Sequence, residues 1–586
     1  MSPRTGRFVT LSALAVLLCG PLAWSAEEEM ARAQPGVIEE VITTATRRAE
    51  PLQETPVAVT VMTAEQIDMA FSANIAAMPF LAPNVNISNG LLSNQATPSI
   101  RGYTLTDVDS TFDPPVATMV NGIYYSRPVM NNLDMFDVES LEILRGPQGT
   151  LFGRNTTGGA IQLRTKRPVD EFETSGKITV GDYGRRDIRA AVNIPLVEGK
   201  VNARLAAYSL NTSGWYDSLG TANSSSQDIG KEDKLSLRPT VHFMFSDTVD
   251  LTLIGEYHRD ESDIRPPKNY SGTDRTLCTT FGQCGTPFDE LSDDHDDFDA
   301  DVVRPGFVDI EIFSITSELN WEMEKGTLTW LSNYRDTDET WVYDADATSV
   351  DMFTVDRRQP HEQYSTELRF ASDGFDRFDF IGGIFFFHQE YDLERRTGIG
   401  SDRLAAVPDP NAVIVPLYSI TGQEHEAWSV FGEVNFHVTD QFTITAGGRY
   451  TDEKKDYFQQ VFSVFPNTGP RQDYSESWDD AGPKFAAKYH VNDDLMVYAS
   501  YQKGFKSGGF NGRCGQTATC ARPFGPEEVD GYEIGIKADF LDNRVRTNIA
   551  AFLTDIEGLQ RGRIVPLPPG ATNPQETVTD NAADAS

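Results

Sequence analysis

The stretch VESLEILRGPQGTLFGRNTTGGAIQLRTK, Val138 to Lys166, contains five glycines and three arginines and alternates apolar and polar side chains like a strand. Glycine permits tight turns and close approach between backbones. Arginine suits bidentate pairing with carboxylates in partly buried places. The segment GRNTTGG lacks the Lys-Ser/Thr ending of a phosphate-binding loop. The stretch therefore indicates a polar folded unit packed against a polar wall rather than a nucleotide site.

Length, charge and composition exclude several function classes. The chain has 586 residues, with 50 basic against 87 acidic residues and a net charge of -37. This acidity argues against nucleic acid as a partner and against a basic membrane-surface patch. No nucleophile-base set and no metal-ligand pattern is visible, so we expect neither an enzyme nor a bound cofactor. The acidic run DELSDDHDDFDAD lacks the glycine and ligand order of a calcium loop, so no metal site is expected there.

The first 26 residues resemble an export signal. Arg4 and Arg7 precede an apolar run from Phe8 to Gly20, and small residues follow. The alternative is a membrane anchor, but the run is shorter than the roughly 20 residues that a spanning helix needs. We therefore predict a signal peptide at residues 1–26.

Four cysteines form two close pairs in polar segments. Cys278 stands near Cys284, and Cys514 near Cys520. In an exported chain such pairs indicate loop disulfides. The alternative, a zinc site, would need shorter spacing or nearby histidines.

The rest of the chain shows the two-residue period of β-strands. In QFTITAGGRY, Phe442, Ile444 and Tyr450 share one face, while Thr443 and Arg449 point the other way. No run after the signal is long and apolar enough for a membrane helix, so entry into a membrane would require a closed barrel. Tight turns alternate with long connections, which is typical of outer-membrane barrels. The alternative is a periplasmic β-sandwich or propeller, which also alternates.

The strand count is the feature that does not fit a closed barrel. From Glu171 onward about fifteen candidate strands can be counted, the last at 544–555, whereas bacterial single-chain barrels close with an even number. The chain then continues in polar residues without a visible amphipathic strand. We therefore expect an incomplete barrel over residues 169–586.

Residues 51–168 have a different pattern, that of a compact α+β unit too polar to face lipid. A helix is expected after Thr63, a plausible N-cap, and the dipeptide Asn121-Gly122 predicts a hairpin turn. Before this unit, residues 27–50 contain the β-prone run VIEEVITTATRR with no visible local partner. This run is predicted to be an extended segment that awaits a strand from elsewhere.

The chain resembles the TonB-dependent outer-membrane receptors, in which a plug domain fills a barrel of about 22 strands. The resemblance covers nearly the whole mature chain. It rests on LEILRGPQGTLFGRNTTGGAIQLRTKRP (141–168), IEEVITTATRR (38–48), PSIRGY (98–103), VNGIYYSRP (120–128), YASYQKGFKSGGFN (498–511) and YEIGIKADFLDNRVRTNIAAFLTDIEGLQ (532–560). It implies a mainly β fold: a transmembrane antiparallel β-barrel, here about 15 of 22 strands, with an N-terminal α+β plug in its lumen.

The resemblance also implies the site residues. The TonB box would comprise Ile38, Glu39, Glu40, Val41, Ile42, Thr43 and Thr44, with Thr43 where Val is more usual. The plug motif would comprise Arg101, Gly102, Arg145, Gly146, Pro147, Gly149, Gly153, Arg154, Gly158 and Gly159. Ligand contacts are expected at Asp107, Asp109, Tyr124, Tyr125 and Arg127. From the polar-wall argument, Arg145, Arg154, Arg164 and Arg167 are predicted to pair with lumen carboxylates.

The implied function is energy-coupled import across the outer membrane of a Gram-negative cell. A small ligand such as a ferric siderophore would bind at the plug apex, and TonB, with its inner-membrane energising complex, would add a strand to the box and pull. The protein is expected to be a monomer in contact with outer-membrane lipid. Two alternatives stay open: a passive porin, and a truncated remnant that at most binds ligand.

Overall fold

The computed structural model describes residues 38, 40–70, 74–78, 82–89, 95–105, 109–129, 131–218, 229–267, 299–300, 306–344, 353–399, 417–462, 470–512, 522–566 and 575–585. The predicted signal peptide, Glu39, Asp107 and the four paired cysteines lie outside these residues. No described helix is long and apolar enough to cross a membrane.

The N-terminal part forms a small mixed unit, here called the interior unit (residues 40–168). Its strands are β1 (Ile42–Thr43), β2 (Glu50–Pro51), β3 (Val59–Thr63), β4 (Val85–Asn89), β5 (Ala96–Ile100), β6 (Tyr103–Thr104), β7 (Val116–Val120), β8 (Ile123–Tyr125), β9 (Val138–Arg145) and β10 (Gly159–Thr165). Its helices are α1 (Ala64–Met69) and α2 (Gly149–Phe152), with 3₁₀ turns at Leu52–Glu54 and Ile75–Ala77. The central sheet has the order β3-β9-β10-β7-β8, in which only β10 and β7 run parallel.

Local sequence explains several of these elements. The Thr63 side chain accepts from the backbone of Gln66, whose side chain accepts from the backbone of Thr63, so the predicted N-cap is confirmed as a capping box. Asn121 and Gly122 both have positive φ, 51° and 84°, and make the predicted hairpin turn between β7 and β8. Leu141 and Ile143 on β9 are fully buried in the apolar core of this unit.

The rest of the chain is almost entirely strand. In order these are β11 (Glu173–Val180), β12 (Arg186–Val197), β13 (Val201–Thr212), β14 (Asp217–Ser218), β15 (Glu232–Ser246), β16 (Val249–Asp260), β17 (Asp299–Ala300), β18 (Phe307–Met323), β19 (Gly326–Asp344), β20 (Phe353–Ser372), β21 (Phe378–Ile399), β22 (Leu417–His437), β23 (Phe442–Phe462), β24 (Gln472–Asn492), β25 (Leu495–Lys506), β26 (Glu527–Phe540), β27 (Val545–Pro566) and β28 (Gln575–Ala585). All except β14 and β17 form one antiparallel sheet of sixteen strands in chain order. Within the described residues, β11 and β28 are its two edges.

The two faces of this sheet have opposite polarity. Ile444 and Tyr450 on β23 are exposed, whereas Thr443, Thr445 and Arg449 are buried, so the predicted alternation is confirmed. Other strands repeat the pattern, with outward Ile384, Val430, Phe485 and Ile534 and inward Asn333, Gln363, Glu433 and Lys537. An apolar outer face and a polar inner face suit a sheet that has lipid outside and a polar unit inside.

The end of the chain differs from the sequence prediction. The last strand was expected at 544–555, but β27 extends to Pro566 and β28 pairs with it in antiparallel register. A polar strand can form here because the ladder uses backbone groups, and Val578 is buried against Val565. The sheet therefore has sixteen strands rather than about fifteen.

The first strand of the interior unit also differs from the sequence prediction. The prediction that it lacks a local partner is wrong, because Ile42 pairs with Pro51 and Thr43 with Glu50 in an antiparallel bridge. The polar turn between them returns the chain on itself, which periodicity alone does not show.

Candidate functional site

The interior unit has two ends that differ in their surroundings. At one end, here called the turn end, neighbouring strands of the large sheet are joined by short turns such as 373–377, 438–441 and 541–544. At the other, the loop end, they are joined by the longer connections. Contacts of the unit with strands from β13 to β26 show that the sheet wraps around it.

The box segment (residues 38 and 40–54) lies at the turn end. Its amide at Ile38 donates to the carbonyl of Asn543 at 2.7 Å, in the turn between β26 and β27. Arg48 pairs with Asp379 at the start of β21. Lys537 donates to the carbonyl of Leu52 at 2.6 Å. The sixteen-stranded sheet and its turns are called the wall from here on. The segment is therefore fixed to the wall at three separate places around the turn end.

Two consecutive threonines of the box segment bind one carboxylate of the interior sheet. Thr43 Oγ1 donates to Glu142 Oε2 at 2.7 Å, and Thr44 Oγ1 donates to Glu142 Oε1 at 2.9 Å. The backbone N–H of Thr44 donates to both oxygens, at 3.0 and 3.2 Å. Gln162 on β10 donates to Thr44 Oγ1 at 2.8 Å. Thr43 and Glu142 are almost fully buried, whereas half of Ile42 is exposed.

A second contact ties the interior unit to the wall through Glu533 on β26. This carboxylate pairs with Arg101 and accepts hydrogen bonds from the Tyr498 hydroxyl at 2.7 Å and the Ala58 amide at 3.0 Å. Arg101 and Gly102 form the tight turn between β5 and β6, both with positive φ. Gly146 has φ of 90°, a conformation that favours glycine, and a Cβ there would lie 2.5 Å from Nη1 of Arg101, which would have to shift.

The remaining motif residues shape the fit between α2 and the sheet. A Cβ at Gly149 would lie 2.5 Å from the carbonyl of Lys503 on β25, so the helix approaches the wall closely. Pro147 contacts Gly504 and Gly531, while Gly153, Gly158 and Gly159 pack against Arg449, Tyr103 and Leu144. The structure therefore brings Gly149, Gly153, Gly158 and Gly159 to close contacts with the large sheet or with the interior unit, whereas Gly102 serves its turn through its positive φ.

The predicted arginine pairing is confirmed at one position and wrong at three. Arg167 pairs with Glu318 on β18. Arg164 instead lies 4.0 Å from Glu139 of its own unit, and Arg145 donates to the Pro83 carbonyl at 3.4 Å. Arg154 stacks over Phe387 at 4.0 Å. Arg154 therefore meets an aromatic ring of the large sheet, whereas Arg145 and Arg164 turn to groups of the interior unit itself.

At the loop end a polar group of side chains, the apical cluster, joins the unit to the wall. Its members are Asp109, Ser110, Arg127, Arg357, Gln359 and Arg395. Arg395 pairs with Asp109, and the Ser110 hydroxyl donates to Gln359 at 2.5 Å. Arg127 and Arg357 both bind Ser110.

Several buried polar atoms around the apical cluster lack a hydrogen-bond partner among the described residues. They include Nε and Nη2 of Arg127, Nε of Arg357 and the hydroxyls of Tyr391 and Tyr457. Arg127 lies over the Tyr391 ring at 4.8 Å, so these groups are neighbours. Buried polar atoms are normally satisfied, which makes this wall suited to a polar ligand or to water.

Tyr124 and Tyr125 lie below the apical cluster in the packed interior. The Tyr124 hydroxyl accepts from Asn155 at 3.1 Å, and burial, with Asp113 nearby, raises its pKa to about 12. Tyr125 donates to Glu256 at 3.0 Å, and burial also raises its pKa. For Asp113, burial acts to raise the pKa, but Lys455 at 2.6 Å and Arg127 lower it overall. The structure thus separates these tyrosines from Asp109 and Arg127, which belong to the cluster.

One group of possible metal ligands lies elsewhere, on the outer face. His388, Glu424 and Glu426 bring ligand atoms within 4.8 Å of one another on β21 and β22. Both glutamates are exposed, and solvated acidic groups of this kind are common without an ion. The expectation of no metal site stays a prediction.

Glu142 and Glu533 are the functional candidates that the sequence reasoning missed. Glu142 stands inside the quoted motif, two residues from Leu144, where the alternation of the strand gave the only signal. Glu533 lies almost 400 residues further along, and no local pattern connects it with Arg101.

Two family models match the chain. The TonB-dependent Receptor Plug Domain matches residues 51–160. The model described as TonB dependent receptor-like, beta-barrel matches residues 236–586.

Curated relatives and solved structures agree with these models. The Pesticin receptor of Yersinia enterocolitica is 24% identical over 507 residues, which are 86% of this chain and 68% of the relative. The Ferrioxamine B receptor of Salmonella typhimurium (strain SL1344) is 26% identical over 44% of this chain and 34% of its own length. The ferric yersiniabactin uptake receptor FyuA from Yersinia pestis shares the fold with a TM-score of 0.73 at 19% identity, covering 86% of this chain and 73% of that one.

Proposed function

The chain belongs to the TonB-dependent receptor family, and from that premise we propose that it imports a ferric siderophore in a step driven by TonB. It is an outer-membrane β-barrel protein, and the family is one of receptors and transporters rather than enzymes. In this location the turn end faces the periplasm and the loop end faces the exterior.

The observation that carries the proposal is the contrast between the ends of the interior unit. At the loop end, Arg127 and Tyr391 keep buried hydrogen-bonding atoms that have no partner in the part of the chain that the structure describes. At the turn end, the box segment presents an exposed Ile42 beside a short extended stretch. The first arrangement suits capture of a polar chelate, and the second suits a partner that adds a strand. The relatives named as receptors for ferrioxamine and for metal-pseudopaline support a metal chelate as the ligand.

In this mechanism ligand capture and energy input occur on opposite sides of the membrane. The outer membrane borders no ATP pool, so uphill import requires work delivered from the inner membrane. A ligand at the apical cluster would shift the interior unit, and a pull on the box segment would then open a path along the wall.

The test is uptake of radiolabelled ferric siderophores of the hydroxamate and catecholate types by iron-limited cells that depend on this receptor. Ile42→Pro removes a backbone donor from the box and should abolish uptake. Ile42→Ala keeps that donor and should transport nearly as well as the native protein. Equal transport by both variants would remove the box from the mechanism and favour passive diffusion.

A further inference from the structure

We propose that Glu142 holds the central part of the box, Thr43 and Thr44, in the closed position, and that Thr43 stands where Val is more usual because its hydroxyl serves this contact. The inference rests on the proposed function in one respect: the box is taken to be the segment that TonB grips. It goes further by assigning the closed state to one carboxylate of the plug.

The first argument is the concentration of donors on a single acceptor. Glu142 accepts from two hydroxyls and one backbone N–H of Thr43 and Thr44, all between 2.7 and 3.2 Å. Hydrogen bonds to an ionised acceptor are about twice as strong as those between neutral groups. The carboxylate is 1% exposed, so the box segment supplies the polar contacts that offset its burial. Glu142 is therefore the acceptor that fixes Thr43 and Thr44, in addition to the wall contacts of Ile38, Arg48 and Leu52.

The second argument is that the contact is strong but reversible. The donors to Glu142 in the described part of the chain are uncharged. When the box leaves, the carboxylate at the turn end can be hydrated, whereas a buried ion pair would leave an isolated charge. We call this contact of Glu142 with Thr43 and Thr44 the latch. It holds the box in place in the resting protein and can be broken by a modest force.

The third argument is direct competition with a partner strand. Addition of a strand to the box requires backbone groups along its edge. The N–H of Thr44 is one of these groups, and it is occupied by Glu142. A partner that pairs with Thr44 must therefore displace Glu142, so the latch and the partner exclude one another.

The position of Glu142 also links the latch to the wall contact. It lies on β9, three residues before Arg145 and four before Gly146, which packs on Arg101. Arg101 in turn pairs with Glu533 on β26. A movement of β9 would alter the latch and the wall contact together, which gives a ligand at the loop end a route to the box.

The departure at position 43 has a physical reason in this geometry. Valine has the same shape as threonine but no hydroxyl, so it would leave Glu142 Oε2 without its shortest bond, 2.7 Å. Thr43 is fully buried, so water could not replace the lost donor without moving the segment.

The primary test is amide hydrogen exchange of the full chain in detergent, read at Thr44, Ala45, Arg47 and Leu52, whose N–H groups are bonded within the closed segment. Glu142→Gln keeps the shape but cannot accept from all three donors. We expect exchange of these amides to rise about tenfold or more, while the core amides of β9 and β10 stay protected. Glu139→Gln, on the same strand but half exposed, is the matched control and should leave exchange unchanged.

A second pair of variants tests the same contact from the other side, in case Glu142→Gln destabilises the whole plug. Thr43→Val should raise exchange at the same amides by a smaller factor, and Thr43→Ser, which keeps the hydroxyl, should restore protection. Thr46→Val removes a hydroxyl that bonds Glu50 instead and should have no effect on Thr44. Unchanged exchange in both Glu142→Gln and Thr43→Val would overturn the proposal, as would an equal rise throughout the plug in both.

The partner arm uses the purified periplasmic domain of TonB without any siderophore. Glu142→Gln should bind it about tenfold more tightly than the native receptor, because the closed state no longer competes. Faster exchange with unchanged TonB affinity would overturn the competition. If neither protein binds TonB under any condition, the proposed function fails while the exchange result still decides the latch.

Discussion

The two ends of the interior unit use the same polar chemistry in opposite ways. At the turn end, the hydroxyls of Thr43 and Thr44 both donate to Glu142, and Glu533 accepts from three groups. At the loop end, the Tyr391 hydroxyl and two nitrogens of Arg127 are buried without partners among the described residues. At the turn end these two carboxylates are fully engaged by the chain itself, although buried atoms of Arg47, Arg48 and Gln53 also lack partners there among the described residues. At the loop end the atoms without partners lie on neighbouring side chains, an arrangement that suits one ligand.

This difference shows how one domain can be both stably seated and ready to bind. An unsatisfied buried polar group costs roughly 1–3 kcal/mol, so the loop end gives up stability for its binding capacity. The hydrogen bonds and ion pair of Glu142 and Glu533 offset that cost and keep the plug in place. Removal of polar groups should therefore have opposite consequences at the two ends.

The largest effect is expected at the turn end, from Glu533→Gln. The Arg101 side chain is 4% exposed and would lose its carboxylate, so the plug should lose about 3–5 kcal/mol of stability. Pulse proteolysis across a urea series measures the midpoint of plug unfolding. Glu528→Gln, which breaks a pair of a partly exposed glutamate with Lys503, should shift it by less than about 1 kcal/mol. Equal shifts in the two variants would remove Glu533 from the plug–wall contact.

At the loop end, Arg127→Met should weaken ligand binding by about 10–100-fold, equivalent to roughly 1.4–2.8 kcal/mol. The cation and its open donors would be lost, while the length of the side chain is kept. Calorimetric titration with the ferric chelate that cells import best gives the affinity. Arg358→Met, on the exposed outer face of β20, is the control. Unaltered affinity in Arg127→Met would place the ligand elsewhere.

A smaller change in stability is expected when one hydroxyl is removed at each end by an isosteric substitution. Tyr391→Phe deletes a buried hydroxyl that has no partner among the residues described, so the stability of the protein should change by less than about 0.5 kcal/mol or rise. Thr43→Val deletes one that is bonded to Glu142 and should lose about 1–2 kcal/mol locally. Urea midpoints and amide exchange report both. Comparable losses of stability in the two variants would show that the bonded and the unbonded hydroxyl contribute alike.

The smallest difference between paired variants is expected at the hairpin tip between the two ends. Gly122 has φ of 84°, and an added Cβ would lie 3.2 Å from Leu331 and 3.4 Å from Arg47 of the box segment. Gly122→Ala should cost roughly 1–2 kcal/mol. Gly199→Ala shares the positive φ but meets no atom within 4 Å, so it should cost only about 1 kcal/mol. Identical melting temperatures would mean that the contact at Gly122 carries no energy.

Much of the fold was predictable because its signals are local. The alternation at 442–450 gave the correct inward and outward faces, and Thr63 and Asn121-Gly122 marked a helix start and a turn. The last strand was missed because β28 is polar and depends on its neighbour for pairing. The partner of Ile42 was missed because Pro51 is not a usual strand residue.

The site was less predictable than the fold. The motif placed Arg145 and Arg154 in the interior, but their partners turned out to be a carbonyl and an aromatic ring. Tyr124 and Tyr125, expected at the ligand, are packed beneath the apical cluster. A side chain's partner depends on which strand stands opposite, and that is set by the arrangement of the whole sheet.

The sequence by itself determined the family and the polarity of each face, because periodicity and motif are properties of neighbouring residues. Only the tertiary structure decided that Thr43 meets Glu142, 99 residues away, and that Arg101 meets Glu533. Both contacts form because the interior unit packs against the curved sheet. Hydrogen-bond geometry, which acts over only a few ångströms, then selects one partner among many.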